Sequence, residues 1–144
     1  MKITTIALAA SVVALPALAQ STHTEPVFKN FNDLKWEKTN PELGDNSQEV
    51  AILHVNPTTK ATELIIRAPK DYHVGRHWHS SNETITVIHG TFIVGHDGSE
   101  EKMVITPGSY AYMPAKMIHD AWTKEEGATF FITVDGPFDI NWVK

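Results

Sequence analysis

The sequence predicts a single-domain all-β sandwich or barrel, on three observations. Short runs rich in β-branched and aromatic residues follow one another at close spacing, at 50–55, 62–68, 84–89, 91–94, 102–106, 110–113, 128–134 and 138–143. Turn signals separate them: Asn56-Pro57, Gly95-His96-Asp97-Gly98, Pro107-Gly108 and Gly136-Pro137. No segment carries a long apolar repeat of helical period. Many short strands with regular turns are the pattern of a sandwich or barrel. The 144 residues suffice for one domain and one core.

The chain opens with a segment that the fold does not need. Lys2 gives a small positive start, residues 3–15 are apolar, Pro16 breaks the run, and Ala17-Leu18-Ala19 forms an A-x-A cleavage signature. The apolar run is shorter than the ~18 residues a membrane span requires. Residues 1–19 are therefore expected to be a cleaved secretory signal of bacterial type, and the mature protein to be periplasmic or secreted, with no membrane attachment after cleavage. No Arg-Arg pair precedes the run, so export is expected in the unfolded state, with any metal acquired outside the cytoplasm. Residues 20–48 are polar and rich in turn formers. They are expected to form an N-terminal arm with at most short strands, anchored by Phe28, Phe31 and Trp36. Residues 49–144 are left for the barrel. Apolar groups on the arm need cover, which together with the resemblance described below predicts a homodimer.

Composition narrows the function. The net charge of −5 argues against nucleic acid as a partner, because phosphate backbones select a basic footprint. Cysteine is absent, which excludes disulfides, thiolate catalysis, iron–sulfur clusters and Cys-based zinc sites. No G-x-G-x-x-G or G-x4-G-K phosphate loop and no G-x-S-x-G elbow occurs, so no organic cofactor is expected. Eight histidines is a high count for this length, and it points to metal chemistry.

The informative stretch is His77-Trp78-His79-Ser80-Ser81-Asn82-Glu83, followed by Gly90. Residues two apart on a strand share a face, so His77 and His79 project together while Trp78 faces away. Glu83 can rejoin that face after a turn at 80–82. Two imidazoles and a carboxylate on neighbouring backbone suit a divalent first-row metal. From composition, this spacing arises by chance roughly one to two times in a thousand. A second segment reads Gly108-x5-Pro114-x4-His119.

Together the two segments resemble the cupin family, whose motifs are G-x5-H-x-H-x3,4-E-x6-G and G-x5-P-x-G-x2-H-x3-N. The resemblance spans roughly residues 62–134 and matches all four ligand-type positions. Three positions depart from it: the leading Gly falls on Asp71, Lys116 stands where Gly is usual, and Thr123 where Asn is usual. Lys116 questions the tight turn, because Lys adopts positive φ reluctantly. The resemblance implies a double-stranded β-helix, a jelly-roll-like barrel. It further implies one divalent transition metal (copper, zinc, iron, nickel or manganese) held by His77, His79, Glu83 and His119, with one or two positions left for water or substrate. It makes Glu83 the candidate catalytic residue for proton transfer, since a carboxylate can detach, take a proton and return.

Other residues carry weaker signals. His54 and His73 lie outside the motifs and are candidates for the pocket wall or for ordinary surface or core positions. The face of His89 is not fixed by the sequence, and His96 is expected to face solvent in the 95–98 turn. Tyr110 and Tyr112 share a strand face, which suits aromatic sheet packing or hydroxyls offered to a substrate. Asp120 and Trp122 invite a supporting role beside His119, because a ligating imidazole usually donates its other N–H. Three functions stay open, each with a small molecule as partner. These are an oxygenase for a small diol, enol or aromatic acid, which the resemblance favours; a non-redox isomerase, epimerase or lyase; and a non-catalytic metal or small-molecule binder.

Overall fold

A computed structural model describes residues 25–144, so the expected signal at 1–19 lies outside the described residues. The strands are β1 (Glu37–Lys38), β2 (Glu49–Val55), β3 (Thr62–Ala68), β4 (His73–Trp78), β5 (Glu83–His96), β6 (Met103–Ile105), β7 (Tyr110–Met113), β8 (His119–Val134) and β9 (Asn141–Trp142). They form a curled antiparallel sheet in the order β1-β2-β3-β8-β4-β9, with β5 pairing β6, β7 and β8. The fold is the all-β jelly-roll expected.

Two long strands build the barrel, and each changes face part-way. In β5 the buried positions are Glu83, Ile85 and Val87, then Phe92 and Val94. In β8 they are His119, Ala121 and Thr123, then Ala128, Phe130, Ile132 and Val134. Odd numbers become even because bulges break the register between Val87 and His89 and between Gly90 and Phe92. The bends meet at two glycines of positive φ, Gly90 (φ 76°) and Gly127 (φ 68°). A Cβ on Gly90 would lie 2.1 Å from the Gly127 carbonyl oxygen. This explains why the first motif ends in glycine. Gly90→Ala should cost more than about 3 kcal/mol, since neither backbone can retreat. Denaturant unfolding should show a large midpoint shift, and an unchanged midpoint would contradict this reading of the corner.

The core lies between the two sheet halves. Leu64 and Ile66 of β3 stand beside Ile132 and Phe130 of β8, and these beside Ile85 and Val87 of β5, in one half; Phe92, past the bend in β5, packs its ring on Phe130 at 4.5 Å. Each such side chain contributes about 1.5–3 kcal/mol when fully buried.

Several expectations need correction. The strand expected at His77 runs from His73 to Trp78, the first half of β8 is strand where none was assigned, and 84–89 and 91–94 are one strand with two breaks in register. The last strand is only Asn141–Trp142 rather than 138–143. The arm adds β1 to the sheet edge, but Phe28 anchors nothing, being 93% exposed. Phe31 and Trp36 do pack together, and Arg67 lies over the Trp36 ring. His96 is not in a turn: it ends β5, pairs with His119 across the ladder and is half-buried.

Candidate metal centre

Four polar residues sit in one end of this apolar barrel, all buried: His77, His79, Glu83 and His119. Strand alternation on β4 brings His77 inward, and His79 follows just past the strand end. Antiparallel pairing of β4 with β8 sets His119 directly opposite His77. Glu83 opens β5 after a turn held by Asn82, which binds Asp135 and the Ala115 amide. The ring centroids of His77 and His119 are 4.2 Å apart, and those of His77 and His79 4.9 Å. One ligand nitrogen from each of the three histidines lies within 4.8 Å of the others. Glu83 Oε2 is 3.4 Å from His79 Nε2 and 4.0 Å from His119 Nε2.

The tautomers are fixed by the backbone. Nδ1–H of His77 donates to the Gly75 carbonyl at 2.7 Å, that of His119 to the Met117 carbonyl at 3.0 Å, and that of His79 to the Asp139 carbonyl. Each Nε2 therefore keeps its lone pair for a cation. Burial pushes His77 down to about 4 and lowers His79 and His119 as well, so the imidazoles are neutral at physiological pH. Burial pushes Glu83 up to about 8. A cluster of neutral donors converging on one point in an apolar cavity fits a metal ion, and these three histidines can hold one.

Residues 24–139 match the ChrR Cupin-like domain. The chain is a member of that cupin family. Cupins of known structure share its fold. The acetylacetone dioxygenase from Acinetobacter johnsonii is 18% identical, with 90% of this chain and 84% of that one covered at a TM-score of 0.65. An RmlC-like cupin from Shewanella frigidimarina is 19% identical, with 80% and 95% covered at 0.65. The DMSP lyase DddQ from Ruegeria pomeroyi is 14% identical, with 74% and 58% covered at 0.61. No curated protein matches the chain.

The departures from the cupin motifs keep the backbone of the motifs. Asp71 has φ 52° and Lys116 φ 66°, so both hold the left-handed conformation that glycine would adopt freely. The Lys116 amide donates to the His79 carbonyl at 2.8 Å, so the turn forms despite its side chain. Thr123 is buried, donates from Oγ1 to the Pro69 carbonyl at 2.6 Å and accepts from the Tyr72 amide at 2.9 Å. It ties β8 to the turn before β4.

The weaker candidates fall outside the centre. His54 lines a separate cavity with Glu63 under the arm. His73 is exposed, stacks on Trp122 at 4.9 Å and lies 3.9 Å from Asp120. Asp120 and Trp122 thus serve His73 rather than supporting His119, whose N–H goes to the backbone. His89 is exposed, and Tyr110 and Tyr112 stand on the outer sheet face, away from the cavity. The half-buried Trp78 carbonyl accepts from Asn141.

The segment 138–142 closes the centre, which the sequence reading did not foresee. Phe138 stacks on His79 at 5.7 Å, and Trp142 tilts over His77 at 5.5 Å. The Asp139 carboxylate accepts from the Ser80 amide and hydroxyl and from Asn141. Gln48, also unforeseen, reaches the cavity from just before β2. Its visible signs in the sequence are the Gly136-Pro137 turn, which aims the segment back at the barrel, and the β-type run at 138–143.

Proposed function

We propose that this cupin is an exported metal-dependent oxygenase for a small enol or diol, with His77, His79, His119 and Glu83 as ligands. The observation that carries the reading is the contrast between the donor cluster and its walls. Among the described residues, His77, His79, His119, Glu83 and Gln48 are the only polar side chains around a cavity of about 50 Å³, and apolar groups such as Ile66, Val74, Ile85, Phe92 and Ile132 line the rest of it. Isomerases commonly set an acid and a base on opposite sides of the reacting carbon, and in this cavity Glu83 alone is placed to move a proton. Tyr72 and His73 line only the adjoining cavity, away from the ligand cluster, and Tyr110 and Tyr112 face away. Apolar walls admit dioxygen and a small organic ligand and keep bulk water out. When bound, a redox-active divalent metal would supply dioxygen activation and polarise the substrate oxygens.

The chain's own contribution is positional. Main-chain carbonyls hold the three imidazoles, so their lone pairs need no reorganisation. Glu83 Oε2 takes the proton that an enolisable substrate loses on binding. The likeness to an acetylacetone dioxygenase makes a β-dicarbonyl the first compound to test. Export and homodimerisation belong to the same proposal. The cleavage signature supports the first, and the exposed Val27, Phe28, Phe31 and Ile52 support the second. An intact mass beginning at Gln20 and a two-chain light-scattering mass check them.

Oxygen-electrode traces test the activity, using acetylacetone, small diols and phenolic acids with copper-, iron-, nickel- and zinc-loaded protein. The expected result is oxygen uptake with a redox-active metal and none with zinc or after chelation. Turnover without dioxygen, or equal turnover with zinc, would reject the oxygenase.

A further inference from the structure

A second cavity, of about 470 Å³, opens against the metal cavity. Gln48, Ile66, Val74, Phe138 and Ile140 border both, so these residues form a neck between them. Beyond the neck the wall is aliphatic or aromatic at Val50, Tyr72 and Trp142, with uncharged polar groups at Thr39 and Asn40. Among the described residues it carries no Lys, Arg, Asp or Glu. Its one histidine, His73, stacks on Trp122 and lies 3.9 Å from the Asp120 carboxylate. No Lys or Arg in this wall offsets the cost of removing a ligand carboxylate from water.

Gln48 is the polar group at the neck. Its neighbour Glu49 turns outward to Arg67 at 2.5 Å, so alternation turns Gln48 and Val50 into the barrel. The hydrogen bonds that Gln48 accepts from Thr39 and Ser47 go to its main-chain oxygen. Its side-chain amide is left to donate to, or accept from, a molecule that spans the neck.

We propose that this vestibule is the second subsite for the ligand of the metal cavity, and that Gln48 positions the ligand by hydrogen bonding one of its oxygens at the neck. Its occupants are uncharged molecules with a small oxygen-bearing head and an apolar substituent such as a phenyl ring. The choice of head rests on the proposed function; the subsite and its selectivity do not.

The test is anaerobic calorimetry on zinc-loaded protein, where no turnover is needed. Benzoylacetone and its para-carboxy derivative share the diketone head and differ in a carboxylate on the ring that enters the vestibule. Benzoylacetone is expected to bind at least about tenfold more tightly. Gln48→Leu should weaken benzoylacetone about two- to tenfold, with zinc content and the ligand-free thermal midpoint unchanged. Equal or tighter binding of the para-carboxy derivative, or no effect of Gln48→Leu, would overturn the proposal. The comparison of the two ligands on the unaltered protein holds whatever the variant's folding. Gln48-dependent binding of benzoylacetone without oxygen uptake on any metal would uphold the subsite and reject the oxygenase. Oxygen uptake with the para-carboxy derivative but not with benzoylacetone would do the reverse.

Discussion

The double variant His77→Ala, His119→Ala is expected to lose stoichiometric metal binding, with affinity falling at least about 10³-fold. Structural zinc sites are worth about 10–16 kcal/mol, so two of four donors carry several kcal/mol that the remaining pair cannot replace. His77 and His119 face each other across the β4–β8 ladder, so their loss opens one whole side of the cluster. Metal should also raise the thermal midpoint of the unaltered protein, because an ion that binds only the native state adds about 4 kcal/mol at a thousand times its Kd. The double variant should show no such shift. Elemental analysis after dialysis, with metal-free unaltered protein as the control for folding, reads both effects. Unchanged metal content would overturn the site.

Glu83→Gln is expected to lower turnover at least about 100-fold, the usual contribution of a positioned proton-transfer group. It should also change the protons exchanged on metal binding. With its carboxyl raised to about 8 by burial, Glu83 is protonated at neutral pH in the metal-free protein. Coordination requires the carboxylate, so metal uptake at pH 7 should release most of one proton from this residue. Affinity should then climb about tenfold per pH unit from pH 5 and level off near pH 8. The His77 imidazole, lowered to about 4, is already neutral in this window and releases nothing. The sign for stability is the opposite. A folded pKa of about 8 against an ordinary 4.5 gives Glu83 a contribution complete below 4.5 and lost as pH rises through 8. The metal-free protein should therefore weaken over the range in which the metal-loaded protein gains. Calorimetry in buffers of different ionisation enthalpy separates the variants: Glu83→Gln should release no such proton. Equal proton release by both proteins would remove Glu83 from the ligand set.

The strands whose extent the sequence hides are those that hold the site. His73–Trp78 and the first half of β8, from His119 to Gly127, are rich in His, Lys, Glu and Trp and carry few β-branched residues. They pair because neighbouring strands clamp them, and their inward positions carry His77 and His119 where a core strand would carry Val or Ile. Binary patterning fails there because the buried histidine cluster replaces apolar packing. The four-residue cluster itself was legible, since motif spacing encodes strand alternation and one turn. Two of its supports are local as well: His77 and His119 each donate to the carbonyl two residues earlier. The third is not, because His79 donates to Asp139, sixty residues away, and no spacing rule reaches that far. Gln48 escaped for the same reason: its place at the neck follows from the arm's β1–β2 pairing and the orientation of Glu49. At Lys116 the residue type suggested a changed turn, whereas the surrounding hydrogen bonds hold it, like Asp71, in the left-handed region. Those bonds outweigh the ~1–2 kcal/mol that the conformation costs a side chain.

The most direct test is anomalous diffraction from crystals of the mature protein grown with iron or zinc and measured at that metal's absorption edge. The expected result is a single peak per chain, bounded by the Nε2 atoms of His77, His79 and His119 with Glu83 Oε2 on its fourth side. A peak elsewhere, coordination through any Nδ1, or no peak from crystals whose protein carries stoichiometric metal would contradict it.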